Sequence, residues 1–209
     1  NFGYLFKGTI GHAVMTIANL TDSTMDLAMS DIPEHIENVS IPDVLKPGEY
    51  GQIEIDFNTN KINDWDVVLD RLTIVINGKR DIHNQLAVTA NIREDFRDLS
   101  EEQLESAPSA TFVNQSIIYD TIPESEELQC RFLLENTGRS DLIIRAVKPS
   151  CGFSIELPAD RSLAPGESTY IVANFDPKDR SGSFKNSITV ITNDPDEYKQ
   201  YLVIEGYIQ

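Results

Sequence analysis

Short stretches with apolar and polar residues in alternation follow one another along the chain. No amphipathic helix of ten residues interrupts them. In the second half such runs fall at 111–118, 128–135, 141–147, 153–157, 168–175, 184–192 and 201–207, each rich in β-branched or alternating residues and bounded by turn formers. Leu128, Cys130, Phe132 and Leu134 share one face of such a strand. Pro165-Gly166 suits the centre of a type II turn, because Pro presets φ and Gly accepts a positive φ. Asn193-Asp194-Pro195-Asp196 marks the connection between the two closing strands. About seven strands in roughly 100 residues, with turns every 8–12, predict a β-sandwich rather than alternating βαβ units.

The pattern occurs twice. Lys46-Pro47-Gly48-Glu49-Tyr50-Gly51-Gln52-Ile53-Glu54-Ile55-Asp56-Phe57 returns as Ala164-Pro165-Gly166-Glu167-Ser168-Thr169-Tyr170-Ile171-Val172-Ala173-Asn174-Phe175, 118 positions on. Leu72-Thr73-Ile74-Val75-Ile76-Asn77 matches Ile188-Thr189-Val190-Ile191-Thr192-Asn193 at a shift of 116, and upstream Asn19 aligns with Asn136. Shared register over this distance identifies two copies of one unit. We therefore expect an all-β chain of two tandem sandwiches, at 1–95 and 110–209, joined by a linker at 96–109. Within that linker Asp98-Leu99-Ser100-Glu101-Glu102-Gln103-Leu104-Glu105-Ser106 predicts a short helix capped by Asp98 or Ser100 and ended before Pro108. The first copy has no obvious opening strand. The counterpart of 111–118 precedes Asn1, so the strand is expected to be cut away or supplied by an upstream domain.

Composition narrows the partners. The 209 residues include 17 Lys+Arg and 34 Asp+Glu, a net charge of −17 spread along the chain, which disfavours phosphate backbones and anionic membranes. An apolar fraction of 40% suits a packed globular chain. No apolar run approaches the ~20 residues of a spanning helix. The two cysteines, Cys130 and Cys151, form no C-x-x-C. A single bridge between them is possible in principle, but a buried Cys130 and a partly exposed Cys151 in a turn fit the pattern better.

The second copy resembles the ASH-type, PapD-like immunoglobulin domains, and within them an uncharacterised bacterial family common in Bacteroidetes envelope proteins. The resemblance rests on Phe132-Leu133-Leu134-Glu135-Asn136-Thr137-Gly138, Ser150-Cys151-Gly152-Phe153-Ser154, Leu163-Ala164-Pro165-Gly166 and Phe175. Gly182-Ser183-Phe184-Lys185-Asn186-Ser187-Ile188-Thr189-Val190-Ile191-Thr192-Asn193 and Gly206 complete it. Where that family often has a second Cys after the Gly, this chain has Phe153, which removes a local Cys pair. The first copy keeps Leu45-Lys46-Pro47-Gly48 and the later strands but has no Cys. The resemblance implies immunoglobulin-like sandwiches in an exported protein of the periplasm or surface of a Gram-negative bacterium. It implies a lipoprotein or secreted factor, with any lipid anchor upstream of Asn1, and no established activity.

No H-E-x-x-H, G-x-S-x-G, Walker or G-x-G-x-x-G motif is present. The histidines, His12, His35 and His83, fall in three separate regions of the first copy, which fits surface imidazoles better than one site. The clusters Asp194/Asp196/Glu197, Asp176/Asp179 and Glu124/Glu126/Glu127 lack a D-x-D-x-D-G loop and read as solvated tips rather than Ca²⁺ ligands. Asn19-Leu20-Thr21, Asn38-Val39-Ser40 and Asn114-Gln115-Ser116 have sequon form, which carries no meaning in a bacterium.

We expect a non-catalytic interaction or scaffold protein, with no cofactor or metal, that meets a protein partner or an envelope glycan and no nucleic acid. The candidate interaction patch is Pro149, Ser150, Cys151, Gly152 and Phe153, since Cys and Phe are costly to expose; the competing reading turns Phe153 inward to close the sandwich end. Trp65, the only tryptophan, sits in an acidic loop and is the candidate platform for a carbohydrate or peptidoglycan ring. An assembly-chaperone role follows only by analogy of fold.

Overall fold

Alternation at period two commits each run to one buried and one wet face, and two such faces must close on each other. The computed structural model describes residues 1–150 and 152–209 and resolves the chain into two units, Asn1–Asp95 and Phe96–Gln209. Both are immunoglobulin-like β-sandwiches.

The first unit contains β1 (Tyr4–Phe6), β2 (Ile10–Ala18), β3 (Met25–Ser30), β4 (Ile36–Ser40), β5 (Val44–Leu45), β6 (Tyr50–Asn58), β7 (Asp66–Ile76) and β8 (Gln85–Arg93). One sheet has the order β1-β8-β7-β3-β5 and the other β2-β6-β4. Between them lie Ile53, Phe57, Leu72, Val88 and Ile92, each at most 2% exposed.

The second unit opens with α1 (Glu101–Glu105). Ser100 caps it in a reciprocal capping box with Gln103, and Glu101 and Glu102 occupy the first turn. The segment 96–109, read from sequence as a linker, groups with this unit: Phe96 meets the Tyr198 ring at 6.4 Å, and Arg139 N–H donates to the Ala107 carbonyl. There follow β9 (Ala110–Phe112), β10 (Ser116–Ile118), β11 (Leu128–Asn136), β12 (Leu142–Pro149), β13 (Phe153–Glu156), β14 (Ser162–Leu163), β15 (Ser168–Phe175), β16 (Gly182–Thr192) and β17 (Lys199–Ile208). The orders are β10-β17-β16-β12-β14 and β13-β15-β11-β9. The run expected as one strand at 111–118 is thus two: β9 pairs antiparallel with β11, and β10 crosses to pair parallel with β17.

The copies share their polar joints as well as their strands. Asn19 and Asn136, both 0% exposed, stand at the C-terminal ends of the equivalent strands β2 and β11. The Asn136 amide donates to Ser140 O and Leu163 O, both at 2.8 Å, and its Oδ1 accepts from Gly138 N–H at 3.0 Å. The Asn19 amide donates to Ser23 O at 2.7 Å and Leu45 O at 2.9 Å, and its Oδ1 accepts from Thr21 N–H at 3.0 Å. The two main-chain carbonyls accept from Gly166 and Gly48 at 2.8 Å. Those glycines, at φ 81° and 74°, hold the second central position of the Pro-Gly turns.

The units differ at the opening strand. Lys7 and Glu124 bond to the carbonyls of Arg93 and of its counterpart Gln209, so β1 holds the place that β10 and the residues after it hold in the second unit. No strand among residues 1–95 takes the place of β9.

Replacing Asn136 or Asn19 with Ala strands the buried Leu163 or Leu45 carbonyl and unties a second carbonyl and an amide of the following bend. Each change is expected to cost about 2–4 kcal/mol of stability in its own unit, read as a lower urea midpoint. A shift no larger than that of Asn114→Ala, at an exposed position, would contradict the role given to these side chains.

Candidate functional site

The turn after β12 closes one end of the second sandwich. Pro149 is exposed and Ser150 half-buried; Ser150 N–H donates to Ser187 O at 2.9 Å, and its Oγ accepts from Ser187 N–H at 3.1 Å. Cys151 lies outside the described residues. Gly152 adopts φ 95° beneath the Arg180 guanidinium, where a Cβ would overlap Nη1. Phe153 is 8% exposed and stacks on Phe175 at 4.8 Å, and Phe175 stacks on Phe184 at 5.0 Å. Arg180 also lies over the Phe175 ring, at 5.4 Å. Phe153 therefore gives its ring face to the core, and it is not an exposed docking residue; burial in the aromatic stack is the more favourable place for it.

Trp65 corrects the second sequence-derived candidate. It is 7% exposed, with Lys7 Nζ 5.3 Å from its ring centroid. A ring packed at the end of a sandwich has no open face on which a sugar could stack.

The histidines are held apart. His12, on β2, bonds through Nδ1 to Asp56 at 2.7 Å. His35 is buried before β4, bonds through Nε2 to Asp70 at 2.8 Å and packs against Phe57 at 4.9 Å. His83 is exposed in the connection from β7 to β8.

The acidic residues serve mainly as local fasteners. Asp194 is 3% exposed; Oδ1 accepts from the amides of Asp196 and Glu197, while Oδ2 accepts from Ala110 N–H at 2.8 Å. Asp176 accepts from Lys178 N–H, and Glu124 from Asp179 N–H. Among the described residues no three His, Cys, Asp or Glu side chains converge as a metal site. Asn19, written as a sequon, is buried by the joint described above.

Three carboxyls of the first unit sit below their ordinary range. Hydrogen bonds from Thr73 and then Arg80 lower Asp31, bonds from Lys61 and Asn58 lower Glu37, and bonds from Asn38 and His12 lower Asp56. Glu37 in return raises Lys61. In the second unit burial pushes the Cys130 thiol up, and burial followed by its bond to Cys130 pushes Tyr119 up to about 12. Cys130 is free and 1% exposed, 3.6 Å from the Tyr119 hydroxyl, which makes it a packing residue rather than a nucleophile.

One surface stands out. β2, nine residues long, is the edge of the three-stranded sheet. It shows Ile10 and Val14 to solvent at 58% and 50% exposure, and Met15 at 38%. Ile10 and Val14 lie on the outward face of the strand, at the positions that exposed Glu127 and Arg131 hold in the second unit, and Met15 lies on the other face.

Residues 110–208 match a family of proteins of unknown function, DUF1573. No curated protein matches the chain. A protein of unknown function from Porphyromonas gingivalis W83 has the same fold, with a TM-score of 0.68 and 14% identity over 97% of this chain and 93% of that one. More distant similarities include the ASH/PapD-like domain 7 of human CEP192, with a TM-score of 0.36 and 12% identity over 56% of this chain and 93% of that one. The Pseudomonas aeruginosa CupB2 chaperone gives a TM-score of 0.27 and 10% identity over 93% of this chain and 91% of that one. No helix among the described residues is long and apolar enough to cross a membrane.

The lowered carboxyls fix an acid response. A carboxyl whose folded pKa lies below its unfolded value stabilises the fold above the unfolded value, and that contribution is lost as pH falls through the folded one. Asp31, Glu37 and Asp56 all belong to the first unit, so its urea midpoint, followed by the single buried Trp65, should fall as pH drops below about 4. The triple variant Asp31→Asn, Glu37→Gln, Asp56→Asn should flatten that decline; an unchanged acid slope would contradict the assignment.

Proposed function

We propose that this chain is a non-catalytic interaction module of the bacterial cell envelope, which holds partner proteins on sheet edges and loop ends carried by rigid sandwiches. The observation that carries the reading is the β2 edge: a nine-residue strand at a sheet margin with Ile10 and Val14 more than half open to water or at its threshold, at 58% and 50%. An unprotected edge with apolar side chains invites pairing with another chain, and soluble folds normally blunt such edges with charge, proline or a covering segment. β2 contains no charged residue and no proline.

The mechanism is display. The sandwich core fixes the backbone of β2, so its edge amides and carbonyls are already in strand geometry and a partner orders only its own segment. The net charge of −17 favours neutral or basic partners and opposes polyanions. The envelope location rests on the motif resemblance in the second unit. The groups that catalysis would require are engaged elsewhere: His12 with Asp56, His35 with Asp70, and Cys130 within the core. The sugar-binding alternative loses its support with the burial of Trp65.

Purified chain carrying a photo-reactive residue at Val14, or at exposed Tyr207 on β17 as a comparison, can be irradiated with envelope and cytosolic extracts of the bacterium that encodes it. A discrete protein adduct at Val14 from the envelope extract, competed by excess unlabelled chain, is expected. Absence of an adduct at exposed positions on every sheet edge, or turnover of an envelope component by the purified chain, would overturn the reading.

A further inference from the structure

Asn77-Gly78 is the only Asn-Gly pair in the chain, and it opens the connection from β7 to β8. Lys79 N–H donates to Ile76 O at 2.9 Å and Ile76 N–H to Lys79 O at 3.1 Å, which closes a two-residue turn. Asn77 and Gly78 both have positive φ, 51° and 72°. A type I′ turn requires positive φ at both central residues, and Asn followed by Gly is the pair that meets this best. Asn77 also clamps the neighbouring strand: Asp26 N–H donates to Asn77 Oδ1 and Asn77 N–H to Asp26 O, both at 2.8 Å.

The second unit repeats the clamp with a different residue behind it. Asn193, the counterpart of Asn77, accepts from Ile143 N–H through Oδ1 at 2.6 Å and donates its own N–H to Ile143 O at 3.2 Å. Its side-chain amide donates to Asp141 O at 3.0 Å. Asp194 follows it where Gly78 follows Asn77. Asn77 is exposed, and a Cβ built on Gly78 would meet nothing within 4 Å, so solvent reaches this turn freely.

An Asn-Gly pair carries a reaction of its own. The Gly nitrogen, with no side chain to crowd it, gives its proton to solvent base and attacks the side-chain carbonyl carbon of Asn. An N–Cγ bond forms, the Cγ–Nδ2 bond breaks, and Nδ2 leaves as ammonia. Water then opens the cyclic imide at one of its two carbonyls. Cleavage of the new bond yields Asp; cleavage of the main-chain bond yields a β-linked isoaspartate with an extra carbon in the backbone.

The folded turn blocks the first step. In the left-handed conformation a residue's carbonyl oxygen lies beside its own Cβ. The following nitrogen, on the other side of the carbonyl carbon, is turned away from that side chain. Gly78 N is thus held away from Asn77 Cγ, and the bond from Asp26 N–H fixes the side chain that would have to swing toward it.

We infer that Asn77 is a modification site gated by the opening of the first unit: protected while the turn and the Asp26 clamp are closed, and converted through the cyclic imide when they open. The conversion runs one way. Isoaspartate lengthens the backbone of a turn built for two residues, so the bonds between Ile76 and Lys79 and the clamp on Asp26 cannot all re-form. Chains that open and close repeatedly accumulate a weakened join between β3 and β7. Asn193 escapes because the Asp194 side chain crowds the attacking nitrogen.

The full chain is incubated at mildly alkaline pH with and without denaturing urea. Peptides spanning Asn77 and Asn193 are then followed by mass spectrometry, with Asp and isoaspartate separated by chromatography. Conversion at Asn77 is expected at least about tenfold faster in urea than in buffer, because the folded chain reacts only through its open fraction. In urea it should also outrun conversion at Asn193, yield both Asp and isoaspartate, and be largely lost in Gly78→Ala. Equal rates with and without urea would overturn the gate. Conversion no faster than at Asn193, or Asp as the only product, would overturn the site and its route. The isoaspartyl chain, refolded and purified, is then compared with Asn77→Asp, which has the same charge without the extra carbon. A lower urea midpoint of the first unit, followed by Trp65, is expected for the isoaspartyl chain, and equal midpoints would overturn the one-way weakening.

Discussion

A buried amide side chain at the end of β2 in one unit and of β11 in the other holds the loops of its sandwich in register. Asn136 and Asn19 each have no exposed surface, and each ties the following bend, the strand before the Pro-Gly turn and the turn itself to one point. A hydrophobic core is indifferent to direction and would tolerate several loop arrangements. An amide with two donors and an acceptor buried among backbone groups accepts one. Glu49 and Glu167 reinforce the turn by accepting from Lys46 N–H and Ala164 N–H. With the loops fixed, the strands that leave them enter the sheets in a single register, and the inward side chains follow.

On that common frame the two units diverge through few residues. Where the second has Gly138, which lets residues 107–109 pass close by, the first has Thr21. Asp194, which anchors β9 through the Ala110 amide, has Gly78 as its counterpart, at φ 72° in the β7 turn. At these two positions the first unit has neither the clearance nor the carboxylate that the second uses around Ala110. Within residues 1–95, Met15 is 38% exposed where its counterpart Phe132 is 0%. The first unit keeps its stability through Phe57, Leu72 and Ile92, each at most 1% exposed, while β2 carries the exposure. An edge of this kind is a liability unless something covers it, and that is the physical basis for assigning it a partner.

The strands and the duplication were legible because period-two alternation and Pro-Gly turns are local signals. The positions of Cys130, Phe132 and Leu134 on one buried face followed directly. The alignment also set Asn19 against Asn136, yet an Asn in a turn looks the same whether it is solvated or buried as a joint, so its role was not visible. Trp65 and Phe153 stood open between exposure and burial for a related reason: a large aromatic in a loop gives no sign of which face the loop turns inward, and here the acidic loop folds Trp65 under while Phe153 stacks on Phe175. The split of 111–118 into β9 and β10 was hidden because Val113, Asn114 and Gln115 change sheet without a Gly or Pro to mark it. The exposure of β2 was the least legible feature. Met15 is apolar at an inward-facing position, and no local signal in the sequence marks it as 38% exposed.

The difference in exposure between β2 and β11 can be measured at one pair of equivalent positions. Ala13 and Cys130 occupy the same place in the two units, the first half-buried and the second 1% exposed. In a chain carrying Cys151→Ser and Ala13→Cys, a small alkylating reagent offers a direct comparison, with the extent of labelling at each position followed by mass spectrometry under native conditions. The account predicts that the thiol at 13 reacts without unfolding and at least about a hundredfold faster than Cys130, whose labelling must await an opening of its unit. Equal protection of the two thiols would mean that β2 is covered as β11 is, and the account built on its exposed edge would be wrong.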